Sequence, residues 1–298
     1  MTVLGTRPSL RHGAQVLGDR HVPQALRLCA ADPVASVLAS ARLVPASRSG
    51  LARSASELWG YAEGGSLLAV CVVSANLVPV APHLDGPVRT RAMAALAELA
   101  VQRRRAYSSL VGPTELVMAL WEQMSTTGRM VARDVRPEQP SMVIDRRPLV
   151  APDPAVRRSR PDELDIVLPA CVNMFTEEVG YSPMTAGGTG YTTRVRTLVA
   201  QGRSFVRVEA DYGRARVIFK AELAASGFGV SQVQGVWVVP DRRGAGLSEP
   251  GMAAVVEYGR ATIDPLISLY VNSYNTRAIA AYEAVGFCQV GTYATVQL

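Results

Sequence analysis

The second half of the chain alternates between segments with helical and with strand-like spacing of apolar residues. Residues 163–178 and 192–200 have helical spacing, and three strand-like stretches follow them, SFVRVEA, ARVIFKAEL and VSQVQGVWVV. The loop PDRRGAG then leads to a helix, the strand LISLYVN, a short helix over 275–285 that Gly286 closes, and a final strand. This order predicts an α/β fold with at least one crossover connection.

The first half of the chain shows a coarsely similar order. Residues 20–42 have helical spacing, and the segment ELWGYAEGGSLLAVCVVSANLVPV is typical of a β-hairpin. An alanine-rich helix over 89–104, a strand, a helix and a last strand follow. Residues 145–162 are crowded with prolines and charges and lack apolar periodicity, so they are the best linker candidate. We therefore expect two domains, residues 1–150 and 151–298.

Composition narrows the function classes. The 298 residues are 48% hydrophobic, which is enough apolar material for two folded cores and argues against a disordered chain. The net charge of +6 comes almost entirely from scattered arginines, with Lys220 as the single lysine, so we expect no nucleic-acid partner. The four cysteines and three histidines form no cluster with metal-ligand spacing, and no metal site is predicted. No apolar run is long enough for a signal peptide or a membrane span, so we expect a cytoplasmic protein without a membrane partner.

The segment VWVVPDRRGAGLS, residues 236–248, carries the most specific chemical signal. A strand runs into Pro240, and the sequence from Arg243 to Gly246 then opens a helix. Glycines at this point let the backbone turn tightly with free N–H groups, and the helix start adds partial positive charge. Such a loop can hold a phosphate or pyrophosphate, although a flexible joint between strand and helix has the same local pattern. It is neither a P-loop nor a complete GxGxxG dinucleotide motif.

A second segment, residues 269–287, places a strand before a short helix that Asn275 or Thr276 can cap. Small residues share the apolar face of this helix with Tyr282. A tyrosine at core spacing is either an ordinary core residue or a phenol facing a ligand, and this segment alone does not separate the two.

Together the two segments resemble the GNAT superfamily of N-acetyltransferases over about the last 140 residues. The pyrophosphate loop of that family reads Arg/Gln-x-x-Gly-x-Gly/Ala, and Ser248 departs from it by standing where glycine or alanine is usual. The later segment resembles the family pattern Asn-x-x-Ala-x-x-x-Tyr-x-x-x-Gly-Phe. The matching positions are Arg243, Gly246 and Ser248 in the loop, and Asn275, Ala278, Tyr282, Gly286 and Phe287 in the helix.

The resemblance implies a GNAT fold for the C-terminal half and acetyl-CoA as cosubstrate. It implies transfer of an acetyl group to a primary amine of a small molecule or a protein, with Tyr282 as the general acid that protonates the leaving thiolate. The cosubstrate-binding residues that it implies are Val236 and Val238 through their main chain, and Arg243, Gly244, Ala245, Gly246, Ser248 and Asn275.

The N-terminal half has neither motif. The sequence also resembles actinobacterial two-part GNAT proteins with an N-terminal half of undefined function. We therefore expect residues 1–150 to form a degenerate GNAT-like or accessory α/β domain that has lost the cosubstrate.

The general base is less clear from the sequence. Gln232 and Gln234 stand where many relatives carry a carboxylate. Glu222 is the first candidate, Glu177 and Glu178 are others, and a water chain is an alternative. The absence of an obvious base leaves a non-catalytic acyl-CoA-binding regulatory protein as the alternative function. The sequence does not indicate the acceptor or an oligomeric state.

Overall fold

The computed structural model describes residues 10–103, 107–185, 187–211 and 213–298. Part of the segment on which the signal-peptide expectation rests, residues 1–9, lies outside these ranges. Within them, no helix is both long and apolar enough to cross a membrane. The chain forms two compact units. The first comprises residues up to 140 together with 291–298, and the second comprises residues 141–290.

The first unit is a mixed α/β fold whose strands β1 to β4 pair antiparallel in chain order. Strand β5 pairs parallel with β4, and residues 293–297 pair antiparallel with β5. Its elements are β1 Gly13–Leu17, α1 Val22–Ala31, α2 Val37–Ser49, β2 Glu57–Glu63, β3 Ser66–Val73, β4 Asn76–Val80, α3 Gly86–Gln102, β5 Ser109–Pro113, α4 Thr114–Ser125 and the beginning of β6, Asp134–Ile144.

The second unit repeats the same order of elements. Strands β8, β9 and β10 pair antiparallel, β11 pairs parallel with β10, and residues 141–144 of β6 pair antiparallel with β11. Its elements are β7 Arg157–Arg158, α5 Leu164–Val179, α6 Thr189–Ala200, β8 Ser204–Asp211, β9 Arg214–Gly227, β10 Val230–Val238, α7 Ser248–Thr262, β11 Leu266–Tyr270, α8 Thr276–Val285 and the beginning of β12, Cys288–Gln297.

The sheet of the second unit is covered on both faces. Helices α7 and α8 pack on one face around Phe219, Val256 and Ile267, all fully buried. Helices α5 and α6 pack on the other face around Val167 and Val206. The α/β class is therefore as predicted, and both chain halves build it with the same order of helices and strands.

The division between the units differs from the expected boundary at residue 150. It falls at 140/141, within β6, and the last eight residues belong to the first unit. The physical reason is strand pairing: the end of β6 pairs with β11, whereas residues 293–297 pair with β5. The alternation of apolar residues identifies these segments as strands, but it does not show which strands they pair with.

The predicted helix over 20–42 is two helices. The helix ends at Asp32, which precedes Pro33 and has a non-helical ψ of 86°. A residue before proline disfavours helical backbone angles, and the Asp32 carboxylate accepts a hydrogen bond from the Ala35 N–H at 3.0 Å. The two-residue strand β7, within the predicted linker, was not expected.

Candidate functional site

The central feature of the second unit is a gap between β10 and β11. The two strands pair in parallel only where Val230–Gln232 meet Leu266–Ser268. Beyond this point β10 continues to Val238 and β11 to Tyr270 without further pairing between them. The main chain on the β11 side of β10 is therefore available to a ligand, and we call this opening the splayed gap.

A β-bulge shapes the side of the gap formed by β10. Gln234 pairs with Glu222 and Trp237 with Lys220, so Gly235 and Val236 together oppose a single residue of β9. Gly235 has a φ of +59°, in the left-handed region. A Cβ atom added there would lie 2.9 Å from the Lys220 Nζ atom. Both the backbone conformation and the close approach of the lysine therefore require glycine at this position.

The loop after β10 leads directly into α7. Gly244 and Gly246 have φ values of +80° and +69°, and a Cβ atom added at either position would meet no atom within 4 Å. Helix α7 begins at Ser248 without a side-chain cap. The first-turn N–H groups of this 15-residue helix thus have no side-chain cap and follow an uncrowded glycine loop, an arrangement that suits a pyrophosphate.

Arg243 ties this loop to neighbouring elements. Its Nε donates to the Val238 carbonyl at 3.0 Å, and its guanidinium pairs with Glu177 at the end of α5. Glu177 also accepts a hydrogen bond from the Trp237 indole at 3.1 Å. The Arg243 side chain remains 43% exposed, so it can hold the loop in place and still present charge to an anion.

Helix α8 presents Tyr282 near the carboxylate of Glu178. Burial raises the pKa of Tyr282, and the negative charge of Glu178 raises it further. No hydrogen bond to the phenol is found among the described residues, so the hydroxyl is available for a ligand. Glu178 is itself positioned by Asn272, just after β11, whose side-chain amide donates to it at 2.9 Å. Asn275 caps α8, its side-chain oxygen accepting from the Ala278 N–H at 3.2 Å.

Glu222 lies in a buried cluster of charges. Its side chain is 1% exposed and pairs with Lys220 at 3.0 Å and with Arg194 at 3.1 Å. The Cys171 thiol donates a third contact at 3.3 Å. Burial alone would raise the pKa of Glu222, but the two cations outweigh it and lower the pKa to about 2. A carboxylate this weakly basic, with its oxygens already occupied, is poorly suited to be the general base.

Comparison with known proteins identifies the domain. Residues 198–287 match the model of the Acetyltransferase (GNAT) family, a stretch that contains the bulge, the loop and Tyr282. The chain carries a GNAT acetyltransferase domain. Residues 56–167 match a domain of unknown function, DUF4081. No curated protein sequence matches the chain significantly.

Several solved structures resemble the fold of this chain over nearly its whole length. A GCN5-related N-acetyltransferase from Sphaerobacter thermophilus is 18% identical, with 96% of this chain and 94% of that chain covered and a TM-score of 0.61. A tandem GNAT protein from the clavulanic acid biosynthesis pathway is 15% identical, with 95% and 98% covered and a TM-score of 0.58. A GNAT-family acetyltransferase from Colwellia psychrerythraea is 11% identical, with 96% and 99% covered and a TM-score of 0.54. At these identities the likeness is one of fold, and it extends over both halves of the chain.

The first unit has the GNAT element order but a different gap. Strands β3 and β4 pair without a bulge. Where the gap would open beyond the parallel pairing of β4 and β5, Pro79 and Val117 lie within 3.6–3.7 Å of the position of a Cβ at Gly112. Pro79 therefore lies close to β5 here, and it has no N–H to offer a ligand.

The sequence-predicted site residues lie in three places: β10 with its loop, α8 with Asn275 and Tyr282, and the buried charge cluster with Glu222. The splayed gap and its loop bring together Val236, Val238, Arg243, Gly244, Ala245, Gly246 and Ser248 on or directly after β10. Sequence reasoning missed Gly235 and Lys220. The available signal was a single lysine inside the apolar strand ARVIFKAEL, two residues before a glutamate and therefore on the same strand face.

Proposed function

We propose that the chain is an acetyl-CoA-dependent N-acetyltransferase that acetylates a primary amine. GNAT membership implies acyl transfer; the identity of the acyl donor and acceptor is the part proposed here. The observation that carries the proposal is the splayed gap, which leaves one edge of β10 unpaired. The same unit also has a glycine loop at the start of a helix and a buried phenol, Tyr282.

The loop from Arg243 to Ser248 would hold the pyrophosphate of the cosubstrate. The glycines at 244 and 246 fit this role, because they carry no side chain that would keep a phosphate from the main chain. Val236 and Val238 would contact the pantetheine arm through their main-chain groups, since β11 does not pair with this part of β10. Asn275 would contribute indirectly, by capping the helix that carries Tyr282.

Acetyl-CoA supplies an acetyl group activated as a thioester. The Val236 N–H would donate a hydrogen bond to the thioester carbonyl oxygen and stabilise the charge that develops there. As the C–N bond forms and the C–S bond breaks, Tyr282 would give its phenol proton to the departing thiolate. A tyrosine phenol is protonated at neutral pH, which is the state a donor requires.

Glu178 replaces Glu222 as the proposed acceptor of the amine proton. Glu222 is ion-paired and buried, and Glu177 is engaged by both Arg243 and Trp237. Glu178 is held by Asn272 and acts electrostatically on Tyr282, so it belongs to the same site. It would take the proton directly or through one water.

A non-catalytic acyl-CoA-binding regulator remains the second candidate, and the occupied state of Glu222 favours it. The available phenol of Tyr282 favours catalysis. Acetyl-CoA binding by calorimetry, followed by CoA release in the presence of a panel of amines, separates the two. Amine-dependent CoA release supports the enzyme, and tight binding without turnover by any amine supports the regulator.

For the first unit we propose a degenerate GNAT-like domain without its own cosubstrate. Pro79, which has no N–H, lies beside Gly112 of β5, and β4 pairs with β3 without a bulge. The boundaries of this domain would follow the compact unit, residues up to 140 with 291–298, rather than residue 150.

A further inference from the structure

Lys220 is the least expected residue of the second unit. It is the single lysine of the chain, lies in the middle of β9 and is completely buried. Burying an ammonium group is costly, and a pair of well-packed apolar residues generally stabilises a fold as well as a buried ion pair does. Stability alone therefore gives no reason for a lysine and a glutamate at Lys220 and Glu222.

The ammonium group has one contact outside the ion pair. Its Nζ atom donates to the main-chain carbonyl of Gly235 at 2.8 Å, while the Glu222 carboxylate lies 3.0 Å away on its other side. Arg194 and Cys171 hold Glu222 in turn, from α6 and α5. The position of the ammonium is thus fixed, and the carbonyl that it binds belongs to a residue of the bulge.

The geometry of the peptide bond transmits this contact to Val236. The described residues contain no cis peptide bond, and in a trans peptide the C=O and N–H groups point in opposite directions. Because the Gly235 carbonyl points to the Lys220 ammonium, the Val236 N–H of the same peptide points the opposite way, away from that ammonium. Neither β9 nor β11 pairs with Val236.

A charged donor on the carbonyl also affects the strength of the N–H group. Hydrogen bonds to an ionised partner are stronger than neutral ones, and they polarise the peptide so that its N–H becomes a better donor. The lysine therefore acts on the direction and on the donor strength of a single amide. Gly235 permits the contact, because any side chain there would meet the ammonium.

We infer that Lys220 is a positioning residue that orients and polarises the Val236 N–H toward the thioester carbonyl, with Glu222 and Arg194 holding its ammonium in place. This inference rests on the proposed acetyl transfer, in which the Val236 amide is the donor to that carbonyl. It assigns the buried charges to transition-state stabilisation and not to general-base chemistry.

The test uses the double variant Lys220→Met/Glu222→Leu, which replaces the ion pair by apolar side chains of similar size, beside the single variant Lys220→Met. The single variant leaves Glu222 buried without its nearest cation and is expected to lower Tm. Arg157→Met is the matched control, because it breaks the half-buried ion pair with Glu163 elsewhere in the unit. For each variant we would measure Tm, the affinities for CoA and acetyl-CoA, and kcat.

The double variant should have the Tm of the wild type and a CoA affinity within about two-fold of it. Its kcat should fall roughly 10²- to 10³-fold, the loss typical of one misplaced donor to a developing oxyanion. Arg157→Met should lower Tm without changing kcat. If kcat of the double variant recovers together with Tm, the cluster is purely structural and the inference is wrong.

A second readout does not depend on turnover. In ligand-free protein, the residual dipolar coupling of the Val236 N–H reports its direction, and it should differ between wild type and double variant. If the wild type acetylates no amine, the proposed function fails, and this coupling still decides the inference. An unchanged coupling would overturn the orienting role of Lys220 even in an active enzyme.

Discussion

Replacing Gly246 tests the pyrophosphate loop, and the chain offers a matched pair of substitutions. Gly246→Asp and Gly246→Asn introduce side chains of the same size, and both residue types tolerate left-handed backbone better than others do. A Cβ at this position meets no atom within 4 Å, so neither side chain has a steric reason to unfold the loop. Each should cost about 1 kcal/mol of backbone strain and leave Tm nearly the same in the two variants.

The difference between the variants is one negative charge beside the phosphates. At about 5 Å and an effective dielectric constant of about 20–80, repulsion between two unit charges is about 1–3 kcal/mol. The Kd for acetyl-CoA should therefore be roughly 5- to 150-fold higher for Gly246→Asp than for Gly246→Asn. The ratio should shrink at high salt, because the Debye length falls to about 3 Å at 1 M.

Isothermal calorimetry at low and high salt measures these affinities, with Tm as the control for folding. Equal affinities for the aspartate and asparagine variants would refute the reasoning, because a bound pyrophosphate cannot be indifferent to a new charge at this position. A loss of affinity that is equally large for both would indicate a steric role and not an electrostatic one.

Three further predictions concern Tyr282, Glu222 and the first unit. Tyr282→Phe keeps the ring and removes the donor, so kcat should fall about 10²- to 10⁴-fold with little change in acetyl-CoA affinity; wild-type turnover would make Tyr282 an ordinary core residue. Glu222 has a pKa of about 2 in the fold against an ordinary value of 4.5, which corresponds to about 3 kcal/mol of stability that is present above pH 4.5 and lost as the pH falls toward 2. Glu222→Gln should therefore flatten the acid side of a plot of unfolding free energy against pH, and an equally steep curve would contradict the assignment. Calorimetry should also give one acetyl-CoA per chain, and a stoichiometry of two would contradict cosubstrate loss in the first unit.

The glycine loop could be predicted because its signal is local. Glycines that need positive φ directly before a helix appear in the sequence as Arg243 to Gly246, and the structure has φ values of +80° and +69° at Gly244 and Gly246. The helix that carries Tyr282 was predictable for the same reason, since Asn275 caps it and Gly286 ends it within one short segment. Local backbone chemistry is sufficient for these features.

The bulge and its lysine depend on contacts that the local sequence does not contain. Gly235 is one glycine in an apolar strand. Its place in the bulge depends on the register with β9, which brings Lys220 to its carbonyl. The sequence makes Glu222 a candidate base, and its ion pair with Arg194 from another helix is not visible in the local pattern. Strand pairing also decides that β6 ends in the second unit and β12 in the first. An alternating apolar pattern does not show which strands pair.

The central claim is acetyl transfer to an amine at the splayed gap, and CoA release with a panel of primary amines tests it most directly. The assay would compare the wild type with Tyr282→Phe at saturating acetyl-CoA. We predict that at least one amine accelerates CoA release by the wild type, that mass spectrometry detects the N-acetylated amine, and that Tyr282→Phe loses most of this activity. Acetyl-CoA binding without acceleration by any amine, or equal rates in wild type and variant, would contradict it.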